Sequence, residues 1–388
     1  MAIFDSKNRF WISAPFWTLA LGLFLTSYIY GIASVAIAWV PRHGVTTLLL
    51  LAWSPFWLAF GIMSGGVVAD IVGRRRVLLT APLVYLIGGT IILISPSLVA
   101  VLLGSLLLIV ATGVDSNTLL TYGQELVPLA IRQKAMYTEL NFVNLGSLTL
   151  AGLSYVGGIL STTAMRQGLA LVPMALVLVT YVVRLHIPES PLWRQSHRAK
   201  NRHRQLKMSG LPLRFFVSSA FSFSNTAGFS LLTYAFGAEI LPRHFRQFLI
   251  VSTATAFLVG LSGRYLSRFP AKLILLISYG AAFFAALGLF YVHNPPHPGF
   301  WVILLVLSGS TSISYIAEDT FKSSRWPSIY RARLTGAVRV TGLVGYIGVL
   351  LITRSFPHPY FLLINAGVWF VGFFAAIVWW RYGKIATS

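Results

Sequence analysis

The sequence predicts an all-α polytopic membrane protein, with twelve transmembrane helices in two pseudo-symmetric six-helix halves. Three observations carry that expectation. The 388 residues are 56% hydrophobic and only 10% charged, with a mean hydropathy of +0.75, too apolar for a water-soluble domain to cover its surface. The apolar residues form long continuous runs rather than alternating ones, which selects helices over an outer-membrane barrel. The inner loops of the two halves repeat one sequence pattern at a fixed offset.

A hydrocarbon core of about 30 Å takes roughly 20 apolar residues per helix. The first span, 15–40, follows a polar stretch from Met1 to Ser13 and carries no small-residue cleavage pattern, so an uncleaved first helix is expected. Pro41 and Gly44 separate it from 45–69, the basic run at Arg74 precedes 77–95, and Pro96 precedes 97–122. Spans 137–159 and 168–186 complete the first half, which ends at Pro188 and Pro191. The second half reads 212–238, 247–266, 272–292, 300–317, 335–354 and 360–380, with Pro242, Pro270, the Asn294 to Pro298 cluster, Pro357 and Pro359 at the joints. The expected domains are 1–187, a basic cytoplasmic linker 188–211, and 212–388.

A net charge of +21 would point to nucleic acid in a soluble protein, but its distribution decides otherwise. With a cytoplasmic amino terminus, 25 of the 30 Lys and Arg residues fall on the inner side, and only Arg42, Arg166, Arg243, Arg246 and Arg354 fall outside. A multi-pass protein of the cytoplasmic (inner or cell) membrane with both termini cytoplasmic is expected, and no nucleic-acid partner. The linker, with Arg194, Arg198, Lys200, Arg202, Arg204 and Lys207, suits anionic lipid headgroups, each base contributing about 1 kcal/mol.

The repeat is specific in position. Pro128, Arg132 and Lys134 precede the fifth span, and Pro327, Arg331 and Arg333 precede the eleventh, each 199 residues later, as Gly345 is after Gly146.

Between spans two and three the chain reads Gly65-Gly66-Val67-Val68-Ala69-Asp70-Ile71-Val72-Gly73-Arg74-Arg75-Arg76. Gly66 permits close helix approach, Gly73 a tight turn, and Asp70 can meet arginines or a positive helix end. This resembles the loop signature of the major facilitator superfamily, G-x-x-x-D-x-x-G-R-[RK]-[RK]. Pro188-Glu189-Ser190-Pro191-Leu192-Trp193 looks like the P-E-S-P-R-W-L signature of its sugar porter and metabolite (phosphate, organic acid) proton symporter branches. Glu125 with Pro128 and Arg132 resembles their E-x-x-P-x-x-x-R. The resemblance implies a secondary active transporter working by alternating access, usually a monomer, that moves a small molecule with or without a proton. It implies that Asp70 latches the start of the eleventh helix, and that Glu125 and Glu189 pair with Arg132 and Arg331. The bland reading of Arg74, Arg75 and Arg76 is as anchors to the inner surface.

The second-half loop, Gly263 to Lys272, reads as a degenerate second copy of the signature, with Ser267 and Pro270 where Asp and Gly would stand. Two departures qualify the sugar branch. The seventh helix reads Ser224-Asn225-Thr226-Ala227-Gly228-Phe229-Ser230 with Tyr234, without the paired glutamines of hexose porters, and the first helix has no acid.

Of the nine acids, Asp115 is expected to be the one at membrane depth, with Asp5, Asp70, Glu125, Glu139, Glu189, Glu318 and Asp319 near cytoplasmic loops and Glu239 near the outer face. An ionisable group there costs about 2.5 to 3.5 kcal/mol on insertion scales, which makes Asp115 the proton-coupling candidate. Its face is shared by Thr118 and Tyr122, and Gly113-Val114-Asp115 resembles the G-x-D of phosphate and organic-anion symporters. The alternative is a structural acid bonded to Asn117 or to a neighbouring helix. No arginine is expected deep in a span, Arg339 coming nearest and snorkelling inward.

Ser27, Tyr30 and Ser34 of the first span, Asn141 and Asn144 of the fifth, Asn225 of the seventh, and Ser308, Ser312 and Tyr315 of the tenth fall on single faces of helices that line the cavity in the family. Each could bind solute or act as interhelical glue. The absence of cysteine excludes thiolate chemistry, and the eight histidines form no HxxxH or HExxH pattern. No enzyme, catalytic set, metal site or cofactor is therefore expected. A transport-inactive sensor or scaffold of the same fold is the alternative function, and a polytopic membrane enzyme a weaker one.

Overall fold

The computed structural model describes residues 10–38, 45–94, 97–157, 162–198, 210–241, 243–353, 356 and 358–383. Helices stand at all twelve expected places. They are α1 (Ala14–Ala38), α2 (Val45–Val72), α3 (Arg74–Ile94), α4 (Leu98–Leu126), α5 (Arg132–Gly157) and α6 (Thr162–Leu185), then the short α7 (Pro191–Arg198). In the second half follow α8 (Leu211–Ser230), α9 (Phe245–Gly260) with the one-turn α10 (Gly263–Leu266), α11 (Ala271–Tyr291), α12 (Pro298–Ser324), α13 (Arg331–Thr353) and α14 (His358–Tyr382). Nine spans among the described residues are long and apolar enough to cross a membrane on composition alone. Of the other three helices, α5 opens on Arg132, Lys134 and Glu139 and α8 is serine-rich, which lowers their hydropathy without lowering helicity.

Several helices outrun the apolar runs that announced them. The fourth and tenth spans, expected to stop at 122 and 317, continue to Leu126 and Ser324, and the fifth and eleventh begin at Arg132 and Arg331. Hydropathy reports where the hydrocarbon ends, whereas i to i−4 hydrogen bonding runs on into the headgroups. These extra turns hold most of the charged groups described below. From Leu231 to Ile240 the seventh span changes to π-helical bonding, with the Leu241 N–H donating to the Phe236 carbonyl at 3.3 Å. No turn residue announces that change.

The repeated loops fold alike. Ile131 N–H donates to the Pro128 carbonyl and Tyr330 N–H to the Pro327 carbonyl, both at 3.1 Å. The next residue in each, Arg132 or Arg331, starts the helix and turns its guanidinium back to a carbonyl five residues earlier, Val127 or Trp326, with Nε at 3.1 Å in both. The 199-residue offset is therefore an offset of hydrogen bonds as well as of letters.

The chain forms two compact units, Met1–Asn201 with Trp326–Ala337, and Arg202–Arg325 with Val338–Ser388. In the first, α1 packs against α4, α5 and α6, α2 against α4, and α3 against α4 and α6, around buried Tyr28, Tyr85, Leu119 and Tyr122. In the second, α11 packs against α12 and α14, α8 against α12 and α14, and α9 against α12. There the rings of Phe221 and Tyr279 stack at 4.9 Å, and Trp369 is fully buried beside Tyr279, which makes it core packing.

Candidate functional site

The α2–α3 turn is built on Gly73, whose φ of +104° belongs to the left-handed region that a Cβ disfavours. A Cβ there would also collide with the Glu189 carboxylate. Glu189 lies that close because it caps α3. Its Oε1 accepts from the Arg74 N–H at 2.9 Å, its Oε2 from the Arg75 N–H at 3.2 Å, and Ser190 N–H adds 2.9 Å. A carboxylate on the free N–H groups of a helix start satisfies orphan donors and meets the positive end of the dipole. The expected partnership of Glu189 with Arg132 or Arg331 is thus corrected: its oxygens are engaged by backbone, and Arg132 bonds the Val127 carbonyl.

Arg74 is the centre of the site. Its side chain is fully buried and divides its donors among four partners. Nε and Nη2 grip Glu125 at 3.0 and 3.1 Å, Nη1 donates to the Ala69 carbonyl at 2.7 Å, and Nη2 reaches Asp70 Oδ1 at 2.9 Å and the Ser328 carbonyl at 3.0 Å. The reading of Arg74 as a surface anchor fails, because planar bidentate pairing is what guanidinium does best out of water. Glu125 also accepts from Ser190 Oγ at 2.7 Å and meets Arg331 Nη1 at 3.3 Å. Arg75 points elsewhere, donating to the Leu185 carbonyl.

Asp70 lies, as the loop signature implies, at the start of α13. Its Oδ2 accepts from the Arg333 N–H at 3.0 Å, with the half-exposed Arg333 guanidinium at 3.7 Å. Asp70 therefore caps α13 as Glu189 caps α3. Asn117 Nδ2 donates to the Ala332 carbonyl at 2.9 Å, and a Cβ on Gly66 would sit 2.6 Å from that same oxygen, so only glycine lets α2 reach this helix start. Trp193 Nε1 closes the arrangement on the Asp70 carbonyl at 3.0 Å. Ser190 and Pro191 supply the N-cap and first residue of α7, the Ser190 hydroxyl accepting from the Trp193 N–H at 3.1 Å.

Asp115 is fully buried within α4, as expected, and it is bonded to a neighbouring helix, the structural alternative the sequence offered, rather than to Asn117, Thr118 or Tyr122. Arg184 of α6 grips it with Nη1 to Oδ1 at 2.8 Å and Nη2 to Oδ2 at 2.9 Å, and Tyr85 of α3 reaches Oδ2 at 3.4 Å. Thr118 instead bonds the Val114 carbonyl, and Tyr122 the Pro188 carbonyl. Arg184, also bonded to the Leu78 carbonyl at 2.8 Å, is the arginine that the sequence placed with the inner-surface residues. It is 0% exposed. Its long side chain reaches back into the bundle, a direction that spacing along α6 does not reveal.

The expected cavity residues are mostly engaged. Ser27 and Ser147 share a 2.6 Å hydrogen bond between α1 and α5, and Asn144 Nδ2 donates to Asn141 Oδ1 at 2.9 Å. In the second unit, Asn225 Nδ2 bonds Ser314 Oγ at 2.8 Å, Ser312 Oγ bonds the Ala256 carbonyl at 2.7 Å, and Tyr315 faces Asp319. Tyr30 packs partly buried against the cluster around Tyr85, while the side chains of Ser34 and Tyr234 lie outside the described residues. Three acids expected near cytoplasmic loops are buried within helices: Glu139 in α5, and Glu318 and Asp319 in α12, where Lys322 pairs with both.

The family model described as Major Facilitator Superfamily matches residues 10–350. Among curated relatives, a glucose transporter of Staphylococcus epidermidis is 27% identical over 191 residues, 48% of this chain and 42% of the relative. A proton myo-inositol cotransporter of Caenorhabditis elegans is 26% identical over 184 residues, 45% of this chain and 30% of the relative. These alignments span less than half the length of either relative. Among solved structures, a proton:xylose symporter bound to 6-bromo-6-deoxy-D-glucose superposes with a TM-score of 0.81 over 97% of this chain and 96% of that one, at 15% identity. A human organic anion transporter gives 0.71 over 96% of this chain and 100% of that one, at 14% identity.

Proposed function

The chain belongs to the Major Facilitator Superfamily, and on that premise we propose that it is a secondary active transporter of a small, neutral, polyhydroxylated solute, working by alternating access. The observation that carries this reading is the latch of buried charge formed by Asp70, Arg74, Glu125 and Arg331. A structure with no need to open has little use for several ionic groups held out of water at helix ends, because apolar packing would hold those ends together without the desolvation cost. The latch instead joins groups at helix ends that can be rehydrated in turn.

The same reading places the chain in the cytoplasmic membrane with both termini inside, following its basic residues, and divides it into 1–187, the linker 188–211 resting on anionic headgroups, and 212–388. The substrates of the relatives, glucose, myo-inositol and xylose, support a polyol-type solute. Asp115 acts in this reading as half of a neutral clamp joining α4 to α6.

The test is counterflow in proteoliposomes preloaded with D-glucose, D-xylose or myo-inositol, with wild type beside Arg74→Ala. Counterflow in the wild type that is lost or strongly reduced in Arg74→Ala supports the reading. Absence of counterflow for all three solutes refutes the substrate class.

A further inference from the structure

Seven of the nine acidic residues have described side chains, and six of these have a partner. Asp70 and Glu125 share Arg74, Asp115 has Arg184, Glu189 has backbone N–H groups, and Glu318 and Asp319 have Lys322. Glu139 has none. It is 0% exposed, and neither carboxyl oxygen has a hydrogen-bond partner among the described residues.

Its place on α5 is informative. Phe142 meets Phe16 of α1 with ring centroids 6.4 Å apart, Gly146 abuts the Phe24 carbonyl, and Ser147 bonds Ser27. Glu139 precedes Phe142 by three residues and Gly146 by seven, so it lies on the stripe that α5 turns to α1. Between Ala14 and Ala38, α1 offers no charged residue, only Tyr28 and Tyr30 as titratable groups. On α4, Asp115 and Glu125 are ion-paired and Tyr122 bonds the Pro188 carbonyl; on α6, Arg184 is held by Asp115, with Tyr181 the remaining described titratable group. On α5 itself Lys134 lies over the Trp11 ring, Arg132 bonds the Val127 carbonyl, and Tyr137 adds a phenol. Among the described residues, therefore, no base balances Glu139.

An ionised carboxylate held dry without a partner costs several kcal/mol, which a bound proton removes. We propose that Glu139 carries an exchangeable proton, and that this proton, rather than one on Asp115, couples to solute movement. The second clause rests on the transport reading. Ionisation becomes tolerable when water reaches the α1–α5 seam, so the proton leaves as that seam opens, and the Glu139 oxygen that loses it is hydrated in exchange.

Infrared difference spectra of wild type, Glu139→Gln and Asp115→Asn in liposomes at neutral pH test the first clause without any solute. The expected result is a protonated-carboxyl band that shifts in heavy water, persists in Asp115→Asn and is missing from Glu139→Gln. The same band in Glu139→Gln overturns the assignment. The second clause is tested by accumulation of D-glucose, D-xylose or myo-inositol under an imposed inward gradient of one pH unit. One-for-one coupling allows up to about tenfold accumulation. Glu139→Gln is expected to equilibrate solute without accumulation while keeping counterflow. Accumulation retained in Glu139→Gln overturns the coupling role. Loss of counterflow in the wild type itself overturns the solute class and leaves the infrared result to decide the proton site.

Discussion

Replacing Arg184 with glutamine removes two charge-assisted hydrogen bonds to Asp115, at 2.8 and 2.9 Å, and a third to the Leu78 carbonyl. Both side chains of the pair are completely buried, so the remaining Asp115 carboxylate would keep only Tyr85. Breaking one side of such a pair costs about 3–5 kcal/mol, most of it the penalty of an uncompensated charge rather than the net worth of the bond. Asp115→Asn strands the guanidinium instead and should cost a similar amount. The double variant Asp115→Asn/Arg184→Gln places two neutral amides where the ions were, so its cost should fall short of the sum by about 2–3 kcal/mol. Unfolding of the four proteins by SDS titration in mixed micelles, followed by tryptophan fluorescence, gives the cycle. Single variants costing less than about 1 kcal/mol, or a strictly additive double variant, would refute the view of this pair as a neutral clamp holding α3, α4 and α6 together.

Glu189→Gln keeps an acceptor for the start of α3 but loses its charge, and a loss of about 0.5–1 kcal/mol in the same titration is expected, with Glu189→Ala losing about twice that. Gly73→Ala meets both a positive φ and the Glu189 carboxylate, so it should destabilise by about 1–3 kcal/mol; an unchanged unfolding midpoint would show that the turn does not require glycine. Because the chain has no cysteine, Asn117→Cys introduces a single thiol beside the Ala332 carbonyl. It should resist maleimide in the wild-type background and become reactive in Asp70→Asn; equal rates in both would argue that Asp70 does not hold the start of α13.

The sequence by itself determined the twelve helices, because lipid leaves a backbone no partner but its own and marks each span with an apolar run. It determined the loop motifs too, since Gly66, Gly73, Asp70, Ser190 and Pro191 act through local backbone requirements that survive in the letters: a positive φ, a close approach, a helix cap. Beyond the Glu125–Arg331 contact that the loop motifs implied, tertiary structure decided which charges meet. Arg74, Arg132, Arg331 and Arg333 are equivalent in composition, yet only Arg74 is central, because α4 brings Glu125 to it while Arg132 turns back to a carbonyl of its own loop. Arg184 and Asp115 lie 69 residues apart, and nothing local joins them. Glu139, three residues inside a predicted span, was indistinguishable from a loop acid until the helix was seen to begin at Arg132 and to turn that side chain's stripe toward a helix without charge. Long side chains reach five or six Å from their backbone, so pairing among them depends on how helices are rotated about their axes, a quantity that spacing along one chain does not contain.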